Sequence, residues 1–345
     1  MKEKVLVAMS GGVDSSVAAA VARDAGHDVV GVTMKLWGGT SDTGCCSVAD
    51  VDDARRAADR LGIDHHVFNF GAEFDAQVVG PYVAAHAAGA TPNPCVSCNR
   101  HLKFDVLLRR ATALGFDAVA TGHHARIVTA EDGTRQIARG ADEAKDQSYV
   151  LGMLAAATLA RVRFPIGAMT MDAVRARAAS LGLATATKPD SQEVCFIRRR
   201  EGRHGFLGDR IDFTPGRVVD SGGRVVGGVD AIELVTVGQR RGIGLAGGHG
   251  PRYVIDIDHA AATVVVGEVG ELLVDTTPVD VWTWSGAPVE RDLRVQCSAH
   301  GAARAAVVEP DAGVVHWCEP RRRVAPGQLV VAYDGDRVVG SATAV

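Results

Sequence analysis

A glycine-bearing turn near the N-terminus has the composition of a phosphate-binding loop. The apolar run at residues 5–9 predicts a buried parallel strand, and the turn S-G-G-V-D-S-S at residues 10–16 leads into a predicted helix. Adjacent glycines let the backbone approach a ligand closely, and hydroxyls together with helix N-terminal N–H groups can bind an anion. No G-x-x-x-x-G-K-S/T motif occurs in the chain, which excludes a Walker-type loop. The alternative is a glycine-rich strand–helix turn that binds no ligand.

A second segment, T-P-N-P-C-V-S-C at residues 91–98, could supply thiol chemistry. Its two prolines predict an extended loop, and Cys98 would then lie at the start of a helix predicted over residues 99–114. A helix N-terminus lowers the pKa of a thiol from about 8.5 towards neutrality, which favours the nucleophilic thiolate. The alternative is that Cys95 and Cys98 form half of a zinc site, although the chain has no second C-x-x-C pair.

Cys195 lies much further along the chain, in K-P-D-S-Q-E-V-C-F-I at residues 188–197, and three arginines follow it. An isolated cysteine before Phe-Ile is more often a buried core residue than a reactive group. Its occurrence together with a phosphate-binding turn and a cysteine at a helix start favours a different interpretation. The combination indicates thiol chemistry on an activated nucleic acid.

Composition limits the cellular setting of this chemistry. With 345 residues, 47% of them apolar, the chain can form two or three domains with substantial cores. No apolar run could span a bilayer and no secretory signal is recognisable, so we expect a cytoplasmic protein with no membrane partner. In that compartment the seven cysteines are more often thiols, metal ligands or catalytic groups than structural bridges. The net charge of −4 excludes a generic polyanion binder, although arginine clusters at 198–200, 240–241 and 321–323 could contact nucleic acid locally.

The elements that must position these groups alternate between strands and helices over the first two hundred residues. Strands are predicted at 5–9, 28–36, 66–70 and 117–121, and helices at 14–23, 49–61, 74–87 and 99–114. This alternation predicts an α/β fold with a doubly wound parallel sheet that binds ligands beyond the carboxyl ends of its strands. The turn at 10–16, Met34 and Gly122 would all lie at that edge.

The pattern changes at about Gly205. Short β-branched runs separated by Gly, Asp and Pro, among them 216–219, 233–237 and 304–309, predict small antiparallel β-domains. We therefore divide the chain into an α/β catalytic domain over residues 1–204, a small β-rich central domain over 205–269 and a C-terminal β-barrel over 270–345.

The ordered motifs resemble those of one family. The turn S-G-G-V-D-S is similar to the PP-loop of ATP pyrophosphatases, and it is followed by VTMKLW, TPNPCVSCNRHLKF, ATGHHAR, AKDQSYVL, KPDSQEVCFI and VTVGQRRGIG. Together these motifs resemble the bacterial tRNA-specific 2-thiouridylases, which place sulfur on C2 of the wobble uridine. The resemblance extends from Val5 to about Gly340 and implies an adenine nucleotide α-hydrolase-like N-terminal domain.

The resemblance also implies partners and residue roles. It implies ATP and Mg²⁺ as cofactors, with Asp14 as the nearby carboxylate and no metal site made by protein alone. The partners would be tRNA, through its anticodon loop, and a persulfide donor such as a cysteine desulfurase or a sulfur relay protein; we expect a monomer. Cys98 would be the nucleophile and Cys195 the persulfide carrier. The ATP contacts would be Ala8, Met9, Ser10, Gly11, Gly12, Val13, Asp14, Ser15, Met34 and Gly122. The tRNA contacts would be Asn93, Pro94, Cys95, His123, Lys145, Asp146, Gln147, Arg304 and Gln328.

Two other functions fit part of this pattern. A PP-loop ligase or amidotransferase acting on a small molecule would share the turn but would need no paired cysteines. A nucleotide-binding module without thiol chemistry would bury Cys98 and Cys195 as core residues. The C-terminal region departs from the family, because only Arg304 remains of an expected Arg-Tyr-Arg stretch and Asp230 replaces an expected His. We hypothesise that the arginines at 321–323 compensate in binding tRNA.

Overall fold

The computed structural model describes residues 2–36, 47–189, 194–197, 200–245, 250–289 and 292–345. Contacts between Cα atoms divide the chain into two compact units. The first unit comprises Met1–Val79, Pro94–Arg199 and Gly335–Val339. The second comprises Gly80–Asn93, Arg200–Asp334 and Gly340–Val345.

The first unit is built on a parallel sheet. Its strands are β1 (Lys4–Ala8), β2 (Asp28–Lys35), β3 (Asp64–Asn69), β4 (Ala118–Thr121) and β7 (Val162–Arg163), in the order β3-β2-β1-β4-β7. Every neighbouring pair runs parallel. The chain leaves β1 in one direction to β2 and β3 and returns on the other side at β4, so the topological switch point lies between β1 and β4. The predicted doubly wound sheet is confirmed.

Helices cover both faces of this sheet. Side chains alternate along a strand, so Val5 and Val7 face one layer while Leu6 faces the other. The first layer contains α1 (Val13–Asp24), α2 (Val48–Leu61) and α8 (Met171–Ser180). Small residues on α1, among them the fully buried Ala18 and Ala19, let this helix lie close to the sheet.

The opposite layer is a chain of short helical segments. It consists of α3 (Gly71–Phe74), a π-helical stretch (Asp75–Val79), α5 (Pro94–Ser97), a second π-helical stretch (Cys98–Val106) and α6 (Leu107–Ala113), which packs on β4. The unit also contains the hairpin β5 (Ala125–Thr129) and β6 (Arg135–Arg139) and the helix α7 (Ala156–Leu159). The predicted helix at 74–87 is thus observed as α3, the first π-helical stretch and α4 (Gly80–Ala87), the last of which belongs to the second unit.

The second unit contains a small four-stranded sheet. Its strands are β8 (Gly216–Asp220), β9 (Val225–Val229), β10 (Tyr253–Asp258) and β11 (Thr263–Gly267), in the order β10-β11-β8-β9, and α9 (Gly202–Gly208) precedes them. The strand predicted at 233–237 is wrong, because Ile232–Leu234 forms a 3₁₀-helix. Ile232 and Val235, spaced by one 3₁₀ turn, both insert into the core of this sheet.

The rest of the second unit is an antiparallel β-structure. Strands β12 (Leu273–Pro278), β14 (Asp292–Gln296), β15 (Arg304–Glu309), β16 (Val314–Arg322) and β17 (Leu329–Asp334) pair in the order β12-β16-β15-β14-β17. The short β13 (Thr283–Trp284) pairs with Gly340 and Ser341 of β18 (Arg337–Thr343). Within the described ranges no helix is long and apolar enough to cross a membrane.

Candidate active site

Hydrogen bonds between serine hydroxyls and the backbone fix the conformation of the turn after β1. The backbone N–H of Ser10 donates to Ser15 Oγ at 3.1 Å, and this hydroxyl donates to the carbonyl of Gly12 at 3.1 Å. Ser16 Oγ donates to the same carbonyl at 2.8 Å. Gly12 is the N-cap of α1 and has no side chain that could accept from the first N–H groups of the helix. Those donors, and the positive end of the helix dipole, therefore favour an anion at this turn.

Two glycines allow this turn to pack closely against its neighbours. Gly11 has a φ of +73°, and a Cβ there would overlap the backbone oxygen of Asp50 in α2. A Cβ on Gly122, which follows β4, would lie 2.6 Å from the backbone nitrogen of Ser15. The structure therefore brings Gly122 against the first turn of α1, where the sequence predicts a shared nucleotide pocket.

Asp14 connects the turn to a second loop through a histidine that the sequence analysis missed. His124 Nε2 lies 3.4 Å from Asp14 Oδ1, and because a carboxylate only accepts, this nitrogen carries the proton and donates. The backbone of His124 exchanges two hydrogen bonds with Gln147, through its N–H and its carbonyl, both at 2.9 Å. His124 Nδ1 is buried without a hydrogen-bond partner in the part of the chain that the structure describes. The only sequence signal for His124 is its place beside His123.

His123 is buried, although the sequence predicts that it contacts tRNA. Its ring packs against Phe104 and Phe164, with centroid distances of 5.8 and 5.7 Å. Burial, with a smaller contribution from the Lys103 ammonium, holds the pKa of His123 well below its ordinary value. Nε2 lies 3.5 Å from Lys103 Nζ and accepts, which leaves Nδ1 to donate to Thr121 Oγ1 at 2.7 Å. His123 is therefore a neutral group with a fixed tautomer.

The helix that carries Cys98 begins earlier than the sequence analysis expected. Helix α5 starts at Pro94 and runs directly into the π-helical stretch from Cys98, so Cys98 is not at the helix N-terminus. Proline suits the first helical position because its fixed φ is helical and its missing N–H is not needed there. The exposed Cys95 occupies the first turn instead, and Cys98 is buried with 9% of its surface exposed. The argument for a thiolate from the helix dipole therefore applies to Cys95 rather than Cys98.

The Cys98 helix contacts the segment that contains Lys145, Asp146 and Gln147. Asn99 Nδ2 donates to the carbonyl of Val150 at 3.0 Å. Asp146 is largely buried and accepts from Arg139 Nη1 and from Ser148 Oγ, each at 2.8 Å. The segment thus connects the Cys98 helix to His124, and through His124 to Asp14.

Cys195 lies on a short described segment, residues 194–197, and is partly exposed. Its neighbour Phe196 is buried and packs edge-to-face on Phe74 of α3, with a centroid distance of 5.7 Å. α3 and the adjoining π-helical stretch also contact the π-helical stretch that begins at Cys98. The two cysteine segments therefore pack against the same short piece of chain, residues 71–79.

The other residues predicted to contact ATP lie at the ends of β1 and β2 or beside the turn. Met9 follows β1 and is buried, and Met34 lies near the end of β2 with 9% of its surface exposed. Thr33 Oγ1 donates to the carbonyl of Met9 at 2.8 Å, which ties the ends of β1 and β2 together. Ala8 and Val13 flank the turn on either side.

The predicted tRNA contacts in the second unit are dispersed. Arg304 is exposed at the start of β15. Gln328 Nε2 donates to the carbonyl of Thr91, and the Thr91 N–H donates to the carbonyl of Pro326 at 2.8 Å. Gln328 thus holds the irregular segment that leads to Asn93. Of the arginines at 321–323, Arg321 stacks on Trp317 and Arg323 lies 3.3 Å from Asp256.

No group of three or more His, Cys, Asp or Glu side chains within residues 2–36, 47–189, 194–197, 200–245, 250–289 and 292–345 could hold a metal ion. The donor set at the turn still fits Mg²⁺ bound with a nucleotide, since that ion keeps several waters and uses one or two carboxylates plus phosphate oxygens. Asp14, whose side chain is 35% exposed, is the carboxylate that could serve.

Comparison with known proteins gives three consecutive family matches. Residues 3–199 match the tRNA methyl transferase HUP domain, 204–268 the tRNA methyl transferase PRC-barrel domain, and 276–344 the aminomethyltransferase beta-barrel domain. Among individual proteins, the chain is 49% identical to a tRNA-specific 2-thiouridylase MnmA of Beutenbergia cavernae, over 99% of this chain and 94% of that protein. It is 48% identical to the same-named protein of Acidothermus cellulolyticus, over 99% and 97%.

A solved structure, the U34-tRNA thiolase NcsA from Methanococcus maripaludis with its [4Fe-4S] cluster, is 16% identical over 60% of this chain and 64% of its own, with a TM-score of 0.37. The family matches define the class: a HUP-type nucleotide-binding α/β domain followed by two β-rich domains. Within that class, the chain belongs to the tRNA-specific 2-thiouridylase family.

Proposed function

We propose that this protein transfers sulfur to C2 of the wobble uridine of tRNA in an ATP-dependent reaction. The observation that best supports the proposal concerns residues 147–150. This segment contacts His124, the partner of Asp14, and also the helix that carries Cys98. Gln147 binds His124, which holds Asp14 of the turn, and the Val150 carbonyl accepts from Asn99, next to Cys98. The turn proposed to bind the nucleotide and the helix that carries the proposed nucleophile are thus joined by one segment, a connection that a small-molecule ligase would not need.

The turn and its neighbours would bind ATP. Helix N-terminal N–H groups and the Ser10 hydroxyl would receive the phosphates, and Asp14 would bind Mg²⁺, which neutralises phosphate charge. ATP supplies an adenylyl group to the C2 oxygen of the uridine and releases pyrophosphate. This oxygen is a poor leaving group, and adenylation turns it into part of AMP. The full set of proposed ATP contacts is Ala8, Met9, Ser10, Gly11, Gly12, Val13, Asp14, Ser15, Met34 and Gly122.

The cysteines would then replace the oxygen with sulfur. Cys195 carries the transferable sulfur as a persulfide; its terminal sulfur either attacks C2 directly or is first released as sulfide by Cys98. In both routes AMP departs with the C2 oxygen, and a Cys98–Cys195 disulfide forms. The two thiols supply the electron pair that leaves with the transferred sulfur. An external dithiol reduces the disulfide and restores both cysteines.

The wobble base must leave its stack to reach this site, and a single-stranded anticodon loop permits this at low cost. The proposed tRNA contacts are Asn93, Pro94, Cys95, His123, Lys145, Asp146, Gln147, Arg304 and Gln328. Because His123 is buried, its contact with the base would require a rearrangement around Phe104 and Phe164.

We also propose a division into domains at 1–204, 205–269 and 270–345. Three separate family matches, at 3–199, 204–268 and 276–344, support it. A cysteine desulfurase or a sulfur relay protein would load Cys195, and the protein would act in the cytoplasm as a monomer.

Mass analysis of tRNA nucleosides tests the proposal. The purified protein is incubated with unmodified tRNA, ATP, Mg²⁺, a dithiol and a cysteine desulfurase with cysteine as the persulfide donor. We expect 2-thiouridine at the wobble position and one AMP for each sulfur inserted. The reaction without ATP is the control. Thiolation without ATP, or ATP-dependent modification at another base, would contradict the proposal.

A further inference from the structure

Lys188 forms an ion cluster with two carboxylates beside the turn. The proposed reaction gives this cluster no role. Lys188 follows the 3₁₀-helix Ala184–Thr187, and Arg175 Nη1 holds its backbone carbonyl at 3.2 Å. Its ammonium donates to the carbonyl of Gly11 at 3.0 Å, to Asp50 Oδ1 at 2.7 Å and to Asp53 Oδ2 at 2.6 Å. An ammonium has three protons, so this arrangement uses all of them.

Both carboxylates are held in place by helix α2. Ser47, the N-cap of α2, donates through its hydroxyl to Asp50 Oδ2 at 2.6 Å. Arg56 donates to Asp53 Oδ1 at 2.6 Å. Burial alone would raise the pKa of Asp53, but its bonds to Lys188 and Arg56 bring that pKa below its ordinary value. Burial likewise lowers the pKa of Lys188, and its bonds to the two carboxylates more than reverse this. Lys188 and Asp53 are therefore ionised at neutral pH.

The bond to the Gly11 carbonyl constrains the peptide that joins Gly11 to Gly12. A trans peptide is planar, so its C=O and its N–H point in opposite directions. Because the carbonyl points at Lys188, the Gly12 N–H points away from Lys188, to the other side of the turn. Two adjacent glycines can rotate this peptide with little steric resistance. The turn therefore needs an external contact to keep the peptide in one orientation, and Lys188 makes that contact.

We propose that Lys188 is a positioning residue for the nucleotide loop: by holding the Gly11 carbonyl, it keeps the Gly12 N–H directed at the phosphates of ATP. This inference rests on the proposed function, since it requires that the turn bind ATP. Lys188 also begins the segment that leads to Cys195, so one residue anchors the turn and the start of the cysteine segment together.

The competing role for Lys188 is that of a direct phosphate ligand. The carboxylates distinguish the two roles, because they have opposite effects. If Lys188 positions the turn, Asp53 keeps it in place, and removing the Asp53 charge weakens ATP binding. If Lys188 leaves the cluster to bind phosphate, Asp53 competes with the nucleotide, and removing its charge strengthens ATP binding.

Equilibrium titration of the full-length protein with ATP and with adenosine tests the inference. For Lys188→Met we expect about tenfold or greater weakening for ATP, the size of a lost hydrogen bond to a charged group, and little change for adenosine. Asp53→Asn should also weaken ATP binding, by a smaller factor, and Lys188→Arg should recover part of the loss. A variant that loses affinity for ATP but not for adenosine has lost the positioning of the turn. A variant that loses both equally has a damaged fold.

Matched controls lie on the same helix α2, directly before Asp53 and Arg56 in the sequence. Arg55→Gln and Asp52→Asn remove one charge each, and these two side chains pair with each other at 3.7 Å. Both should bind ATP like the unaltered protein. Three results would overturn the inference and leave the proposed function intact. They are unchanged ATP affinity in Lys188→Met, an equal loss for ATP and adenosine in that variant, and tighter ATP binding in Asp53→Asn. Failure of the unaltered protein to bind ATP would overturn the proposed function, and the inference with it.

Discussion

The proposed nucleotide-binding turn in the first unit and the proposed tRNA contacts in the second unit are built in different ways. At the turn, backbone atoms lie so close that Gly11 and Gly122 leave no room for a Cβ. The hydroxyls of Ser15 and Ser16 are engaged with the backbone of the turn itself. In the second unit, Arg304 is exposed on a strand, whereas Gln328 and Arg321 are occupied by contacts within the protein.

This difference is the one expected from the sizes of the two proposed ligands. A phosphate group is recognised by several donors that converge on one point, which requires a fixed backbone before the ligand arrives. A tRNA presents many phosphates along an extended surface, so each contact contributes little and can be lost or moved. We therefore expect single changes at the turn and the cysteines to have large effects, and single changes in the second unit to have small ones.

The largest effect is expected at the cysteines. Cys98→Ser and Cys195→Ser should each reduce 2-thiouridine formation by at least about 1,000-fold, because a hydroxyl cannot carry or resolve a persulfide. Binding of ATP should remain within about twofold of that of the unaltered protein, since neither thiol belongs to the turn. Nucleoside mass analysis and ATP titration measure the two quantities.

Two other cysteines serve as controls for this comparison. Cys318→Ser changes an exposed thiol on β16 and should leave thiolation unchanged. Cys95→Ser should cost less than Cys98→Ser. If Cys95→Ser alone abolished sulfur transfer, the nucleophile would be Cys95, the cysteine that lies in the first turn of the helix.

The next largest effect is expected at Gly122. Alanine there would place a Cβ 2.6 Å from the backbone nitrogen of Ser15, and the turn must shift to make room. Overpacking of this kind costs about 1–3 kcal/mol, so the affinity for ATP should fall by about tenfold or more. Gly270→Ala is the control, because a Cβ at Gly270 meets nothing within 4 Å. Equal ATP affinity in the two variants would show that Gly122 does not shape the nucleotide site.

The parts of the site that could be predicted from the sequence are those with local causes. The strand, the glycine turn and helix α1 follow from an apolar run and adjacent glycines, and they are observed as expected. The start of the Cys98 helix was misplaced because Pro94 is compatible with a loop and with a first helical turn, and only the structure distinguishes them. The strand predicted at 233–237 is wrong for a similar reason, because a short apolar run is compatible both with a strand and with a helical turn.

The parts that could not be predicted are contacts between distant segments. His124 and Lys188 both lie within motifs that the sequence made conspicuous, yet nothing in their spacing indicates Asp14 or Gly11 as partners. Such pairings depend on the order of strands in the sheet and on where each helix begins. Composition and hydrophobic periodicity do not indicate these pairings, because each side chain taken alone is an ordinary exposed or core residue.

A smaller effect is expected at Arg304. Removing one phosphate contact should weaken tRNA binding a few-fold and reduce the slope of log affinity against log salt by about 1. Arg304→Gln is compared with Arg224→Gln, which removes an exposed arginine paired with Asp220. Binding titrations at several salt concentrations measure the slope. Identical slopes for the two variants would remove Arg304 from the tRNA surface.

Arg321 tests the hypothesis that the arginines at 321–323 compensate in binding tRNA. Its guanidinium lies 4.3 Å from the Trp317 ring centroid and donates to Cys297 Sγ at 3.5 Å, and its Nε is buried. Arg321→Gln should therefore lower the free energy of unfolding by about 1–2 kcal/mol and leave the salt slope unchanged. Unfolding in urea and tRNA titration distinguish the outcomes; a reduced slope with unchanged stability would restore Arg321 to the tRNA surface.

His86 should make the stability of the second unit depend on pH. Burial, assisted by the charge of Arg203, lowers the pKa of His86 from 6.5 to about 4. Between pH 4 and pH 6.5 the unfolded chain binds a proton that the folded chain does not. The contribution of neutral His86 to the free energy of unfolding is therefore complete above pH 6.5 and is lost as pH falls towards 4.

The unaltered protein should lose about 1–2 kcal/mol more unfolding free energy between pH 7 and pH 5 than His86→Asn does. Urea unfolding followed by tryptophan fluorescence measures this, with the exposed His300→Asn as the control.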